Sequence, residues 1–174
     1  MVRRHIVLTL LIIGIYSTIL FGNNIVAVSN TQEAKVLKVI DGDTITVNID
    51  GVSKTLRLIG INTPETVDPR KPVECFGNEA SIKAKELLSG KQVKLEADPT
   101  QGKLDKYQRL LRYVYLPDGT SFNKLMIEQG FAYEYTYNLP YKYQVEFKQA
   151  EREARADKRG LWADNVCSQI QPTP

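Results

Sequence analysis

Histidine is almost missing from this chain of 174 residues: its one example is His5. Everything after it works without an imidazole, which excludes Ser-His-Asp triads, Cys-His nucleophile pairs and most zinc sites. A strong charge of one sign is also lacking. Lys and Arg number 23 against 20 Asp and Glu, a formal net charge of +3. Arg3 and Arg4 precede every acid, the first of which is Glu33, so the rest of the chain holds 21 basic against 20 acidic residues. A polybasic protein is thereby excluded, and affinity for a polyanion must come from local arrangement. With 43% hydrophobic and 25% charged residues, the composition fits neither a disordered nor a fibrous chain. The length suits one domain with a real core. An enzyme built this way uses carboxylates, arginines, tyrosines or a hard metal ion.

Long apolar runs are absent, with one exception. Ile6 to Phe21 is 16 residues without a charge, preceded by Arg3 and Arg4 and followed by Ala27-Val28-Ser29. Basic, apolar and small-residue regions in that order predict a signal peptide over residues 1–29. The run is short for a bilayer span of about 20 residues. An uncleaved anchor, lengthened through Asn23 to Val28, is the alternative, and membrane contact follows only from that case. Both readings place residues 30–174 outside the cytoplasm, either secreted, periplasmic or on the cell surface. Cysteine is scarce as well. Cys75 and Cys167 are the two present, and in an oxidising compartment they are expected to form a disulfide. On chain-entropy grounds so large a loop is worth about 4–5 kcal/mol.

What is there begins with short β-branched runs. Lys35 to Ile40, Thr44 to Ile49 and Lys54 to Ile61 are separated by the turn sequences Asp41-Gly42-Asp43 and Asp50-Gly51, which predicts an antiparallel meander. Residues 62–77 hold three prolines and read as a loop. Asn78 is the expected cap of a helix that buries Ala80, Ala84, Leu87 and Leu88 and stops at Gly90. Val93 to Ala97 and Leu110 to Leu116 follow as strands, then a short helix opened by Ser121 and ended by Gly130. Tyr143, Phe147, Ala150 and Ala154 mark the apolar stripe of a last helix over about residues 141–159, with Leu161 and Trp162 pinning its end. The predicted fold class is α+β, mainly β: a five-stranded OB-type barrel with about three helices outside.

Three fragments carry possible chemistry. Asp41-Gly42-Asp43-Thr44 is an ordinary hairpin turn when taken alone. Arg57 interrupts an apolar strand whose end is followed by Asn62, Thr63, Pro64 and Glu65. Asp105 to Arg109, DKYQR, leads into the fifth strand. In this order, IDGDT, RLIGINTPET and DKYQR resemble the staphylococcal nuclease family, as do GNEAS at Gly77 to Ser81, Gln129-Gly130 and Trp162. The resemblance spans roughly residues 34–163. It implies the family's five-stranded barrel with three helices and calcium-dependent cleavage of DNA and RNA to 3′-phosphates.

By that resemblance Arg57 and Arg109 match the two catalytic arginines and Glu65 the catalytic carboxylate, proposed to deprotonate the attacking water. Guanidinium forks suit the charge that builds on phosphate oxygens. Asp43, Asn62 and the main-chain carbonyl of Thr63 match the Ca²⁺ ligands, all of them oxygen donors. The family usually has aspartate where this chain has Asn62, so one ligand charge is lost and weaker calcium binding is expected.

Tyr107 matches a substrate-contacting tyrosine, Lys106 beside it is a candidate phosphate contact, and one of Tyr135 or Tyr137 matches a further family tyrosine. Tyr133, Tyr135 and Tyr137 would share a face in an extended segment, where bases can stack. Arg70, Lys71 and Lys103 are candidates for steering the polyanion. No protein partner is implied, and a monomer is the default. A non-catalytic OB module that binds nucleic acid, its metal site impaired by Asn62, is the alternative. It needs the basic and aromatic groups but not Glu65. A glycoside hydrolase using Asp43 and Glu65 ranks last, because it leaves both arginines without a role.

Overall fold

The computed structural model describes residues 31–70 and 72–167. The predicted signal peptide and Lys71 lie outside the described residues. β1 (Thr31–Val39), β2 (Thr44–Ile49) and β3 (Val52–Leu58) form the expected meander, joined by the two Asp-Gly turns. A two-residue strand, β4 (Ile61–Asn62), comes next, then helix α1 (Gly77–Leu88). β5 (Gln92–Glu96) and β6 (Leu110–Tyr115) complete the barrel. β5 pairs antiparallel with both β1 and β6, and β6 closes the ring by running parallel to β3. Helix α2 (Phe122–Glu128), the short strand β7 (Tyr133–Glu134), helix α3 (Gln144–Ala156) and a 3₁₀ turn at Gly160–Trp162 follow.

A barrel five strands wide is filled by the inward side chains of each strand. Ile45 and Val47 of β2, Leu56 and Leu58 of β3, Val93 and Leu95 of β5, and Tyr113 and Val114 of β6 are all buried. α1 adds Ala80, Ala84 and Leu88, and α3 adds Phe147, Ala150 and Ala154.

Several expected boundaries shift, each for a local reason. α1 starts at Gly77 and not after a capping Asn78; Phe76, in the left-handed conformation, occupies the cap position without a side-chain bond. The third strand ends at Leu58, because Gly60 turns the chain with a φ of +78° before Ile61. α3 runs from Gln144 to Ala156, shorter at both ends than expected. Ahead of it, the Lys142 N–H donates to Asp98 instead of entering a helical ladder. Behind it, Lys158 turns left-handed, and the Lys158 and Arg159 N–H groups cap the Arg155 and Ala154 carbonyls in a Schellman arrangement. Cys75 and Cys167 are disulfide-bonded, as expected, with Cα atoms 5.8 Å apart.

Two buried carboxylates fasten the helical half to the barrel. Asp98 accepts hydrogen bonds from the Tyr113 hydroxyl at 2.5 Å, the Lys142 N–H at 2.8 Å and both donors of Thr100. Glu96 accepts from Lys142 Nζ at 2.5 Å and from the hydroxyls of Tyr115 and Tyr143. Burial by itself would raise both acids, but these donors outweigh it and hold them below their ordinary values of 4.5 for Glu96 and 3.8 for Asp98.

A depressed folded-state pKa stabilises fully above the unfolded value, and that stabilisation is lost as pH falls through the folded one. Tyr113→Phe removes one donor from a buried charge and is expected to cost about 1.5–3 kcal/mol at neutral pH. In urea unfolding followed from pH 7 downward, parent stability should drop below about pH 4, with the gap to the variant closing over the same range.

Candidate active site

A cleft of about 680 Å³ opens beside the β1–β2 turn, where β3 ends and β6 begins. Arg57, Glu65 and Arg109 line it, and so do Asp43, Asn62 and Thr63. Lys106, Tyr107, Tyr135 and Tyr137 complete the set of catalytic, metal and substrate candidates. Residues from four separate stretches of chain are thus brought to one concavity.

Arg57 leaves the wall of β3 and is held on four sides. Its Nη1 donates to the carbonyls of Leu58 and Ile61 at 2.7 and 2.8 Å. Nη2 donates to Asn62 Oδ1 at 3.1 Å and pairs with Asp43 Oδ2 at 3.2 Å. Asp43 is itself buried; Oδ2 also accepts the Thr63 N–H at 2.9 Å, and Oδ1 accepts the Thr44 hydroxyl. Asp43, Asn62 and Thr63 therefore meet at one rim although 20 residues of chain separate Asp43 from Thr63. Gly42 permits this approach. A Cβ there would lie 2.4 Å from the Thr63 side chain.

Arg109 is fixed differently. Asp105 Oδ2 pairs with its Nε at 2.7 Å, while Asp105 Oδ1 accepts the Tyr107 and Arg109 N–H groups, both at 2.9 Å. Burial opposes ionisation of Asp105, but these donors prevail and keep it below the ordinary range. The terminal nitrogens of Arg109 have no protein acceptor among the described residues, so they remain available to an anion. The Tyr107 ring, 66% exposed, stands beside both cations, with Arg109 Cζ 5.3 Å and Lys106 Nζ 5.0 Å from its centroid.

Glu65 sits in the loop after β4. Its Oε1 accepts the N–H groups of Thr66, Val67 and Asp68 at 2.8, 2.7 and 3.2 Å, which fixes the carboxylate and leaves Oε2 without a protein donor among the described residues.

The sequence matches the family described as "Staphylococcal nuclease homologue" over residues 55–164. The chain is 42% identical over 136 residues to "Thermonuclease" of Staphylococcus hyicus, covering 78% of this chain and 79% of that one. This chain belongs to the staphylococcal nuclease family. A second "Thermonuclease", from Staphylococcus intermedius, is 41% identical over 127 residues, or 73% of this chain and 74% of that one. "SPbeta prophage-derived endonuclease YokF" of Bacillus subtilis (strain 168) is 40% identical over 129 residues, 74% of this chain and 43% of that longer one. The chain is therefore a hydrolase of the nuclease class, with nucleic acid as substrate.

The tyrosines of this nuclease divide. Tyr133 does not share a face with Tyr135 and Tyr137, because β7 lasts two residues and Tyr133 packs edge-on against Trp162 at 5.3 Å. Tyr135 and Tyr137 are paired at 6.4 Å and exposed at the cleft, with Arg57 Cζ 5.9 Å from the Tyr135 ring. Two acids escaped assignment from sequence. Asp41 lines the cleft and accepts the Asp43 N–H; burial and the neighbouring Asp43 carboxylate push its pKa up to about 6. Asp105 orients Arg109 across a turn, where no helical spacing marks the pair in sequence.

Gly60 joins the two walls. Its carbonyl accepts the Tyr135 N–H at 3.0 Å, and a Cβ on it would lie 2.7 Å from the Tyr141 ring and 2.8 Å from Phe147. Gly60→Ala combines that clash with a left-handed backbone, so a loss of about 2–4 kcal/mol in chemical denaturation is expected. Tyrosine fluorescence or NMR should report displacement of Tyr135 in the same variant.

Proposed function

We propose that this cleft hydrolyses DNA and RNA with the help of Ca²⁺, leaving 3′-phosphates, in an exported enzyme that acts as a monomer. The observation that carries the reading is the gathering of Arg57, Glu65 and Arg109 in one cleft beside the rim of Asp43, Asn62 and Thr63. The product polarity follows the family resemblance. Export is supported by the order of residues 1–29 and by the Cys75–Cys167 bond.

The rim fits a hard cation: a buried carboxylate, an amide oxygen and a backbone carbonyl, with no sulfur or imidazole among them. Among the described residues no three acidic, histidine or cysteine side chains gather as a metal cluster, so water and substrate would complete the shell. A bound calcium ion would neutralise phosphate charge there. Asp43, the Asn62 side chain and the Thr63 carbonyl would hold it.

Hydrolysis needs an in-line water, a base for it and cations at the non-bridging oxygens. Glu65 takes the proton of the attacking water through Oε2 while its other oxygen stays pinned by three backbone donors. The new O–P bond forms as the P–O5′ bond breaks, the leaving 5′ oxygen takes a proton from solvent to become a hydroxyl, and the phosphate stays on the 3′ oxygen. Arg57 keeps Nη1 on two carbonyls and turns Nη2 toward the phosphate. Arg109 offers its terminal nitrogens from the turn that leads into the neighbouring strand β6, its Nε anchored by Asp105. Bases stack on Tyr107, Tyr135 and Tyr137, and Lys106 with Arg70 adds local positive charge.

Glu65→Gln is expected to lower kcat by about 10²–10⁴-fold while oligonucleotide binding, read by fluorescence anisotropy, stays near that of the parent. A variant that cuts as fast as the parent removes Glu65 from the role of base. Chelation should abolish cleavage. Asn62→Asp should lower the half-saturating calcium concentration about tenfold, both in hydrolysis and in calorimetric titration. Unchanged calcium affinity in calorimetry would refute the ligand role of Asn62.

A further inference from the structure

The Cys75–Cys167 disulfide stands apart from the barrel and from the cleft, yet it ends the loop that carries Glu65. Among the described residues of 63–76 there is no strand or helix. Their order depends on a reciprocal clamp. Glu65 N–H donates to Glu74 Oε2 at 3.0 Å, and Glu74 N–H donates back to the Glu65 carbonyl at 2.9 Å. Cys75 is the next residue. Its partner Cys167 follows the 3₁₀ turn, a segment seated firmly on the body: Leu161 is buried, its N–H donates to Gly130 at 2.8 Å, and Arg155 stacks on Trp162 at 3.7 Å. The bond thus ties one arm of the clamp to a rigid support that is 92 residues distant in sequence.

We propose that this disulfide is an activity latch: Glu65 is held in working position only when Cys75 and Cys167 are joined, so the nuclease is switched off by reduction and on by oxidation. The inference rests on the role of Glu65 given above. Its chemistry is thiol–disulfide exchange. The two thiols lose two protons and two electrons and become one S–S bond, and a small disulfide such as oxidised glutathione accepts them and leaves as two thiols. Reduction reverses this. Such a chain is held inactive in a reducing cytoplasm and becomes active on reaching an oxidising compartment. Glu74 is a positioning residue in this scheme, because it acts on the reaction only through Glu65.

The experiment uses the full chain in three forms: oxidised, reduced with dithiothreitol, and Cys75→Ser with Cys167→Ser. Each is assayed for kcat and KM on single-stranded DNA with calcium, and for amide hydrogen exchange. Reduction and the double variant are expected to lower kcat by about 10- to 100-fold, a size fitting slight misplacement of a catalytic group. KM should stay within about twofold of the oxidised value. Exchange should speed up at Thr66, Val67 and Asp68, whose N–H groups bond Glu65, while buried Val47 and Val114 stay protected. Oxidised glutathione should restore the reduced parent and leave the double variant unchanged. Glu74→Ala, with the disulfide intact, should show the same loss of kcat.

The latch is overturned if the reduced chain keeps its kcat and its protection at residues 66–68, or if Glu74→Ala cuts like the parent. It is equally overturned if Val47 and Val114 lose protection along with the loop, since the bond then merely stabilises the whole fold. If no form cuts DNA, the assigned function fails, and exchange at residues 66–68 still decides whether the disulfide orders the loop.

Discussion

The guanidinium of Arg57 is where barrel and cleft are fastened together. Two of its hydrogen bonds go to carbonyls of Leu58 and Ile61, on either side of the Gly60 turn, so the side chain itself braces the bend that ends β3. Its other arm holds Asn62 and Asp43 from two different segments. A half-buried cation with backbone, amide and carboxylate acceptors is satisfied while one side still faces the cleft, and taking away one partner would strand the others. The group with which a phosphate is to be met is thus also the group that shapes the place of meeting. Asn123 gives support from behind: its amide donates to the Ile59 carbonyl at 2.8 Å and its Oδ1 accepts the Val114 N–H.

Elsewhere the same device recurs with the charges reversed. Glu65, Asp98 and Asp105 each gather two or more donors from the chain near them, and each fixes a segment that has no regular structure. Ionised oxygens are well suited to this, because they accept several N–H groups at once and form stronger bonds than neutral acceptors. The barrel supplies rigidity, while the irregular segments that carry the chemistry are ordered one carboxylate at a time.

Much of this could be read in the sequence, and the failures have physical causes. The strands were legible because Ile45, Val47, Leu56 and Leu58 alternate inward and the Asp-Gly turns punctuate them. The site was legible because its residues lie in short runs, IDGDT, RLIGINTPET and DKYQR, whose resemblance to a family carries the positions of Arg57, Glu65 and Arg109. Two-residue strands such as β4 and β7 have no period to detect, so the separation of Tyr133 from Tyr135 was not foreseen. The true starts of α1 and α3 depend on partners distant in sequence, the Phe131 ring beside Phe76 at 5.4 Å and the Asp98 carboxylate at Lys142. In the sequence Asp41 shows only the marks of a turn residue, because its raised proton affinity comes first from burial, which no local pattern announces.

The parallel pairing of β3 with β6 sets Arg57 opposite Leu111, two residues beyond Arg109. Both arginines are therefore measured from one seam, although 51 residues of chain lie between them. Because side chains alternate along a strand, a slip of one step at that seam would turn one guanidinium away from the other. The excursion between them has to return β6 to the same rung while it carries Glu65 in its first loop and Asp105 in its last. Divergence in related lineages should collect on the exposed face of α1 and spare the seam and the two loops.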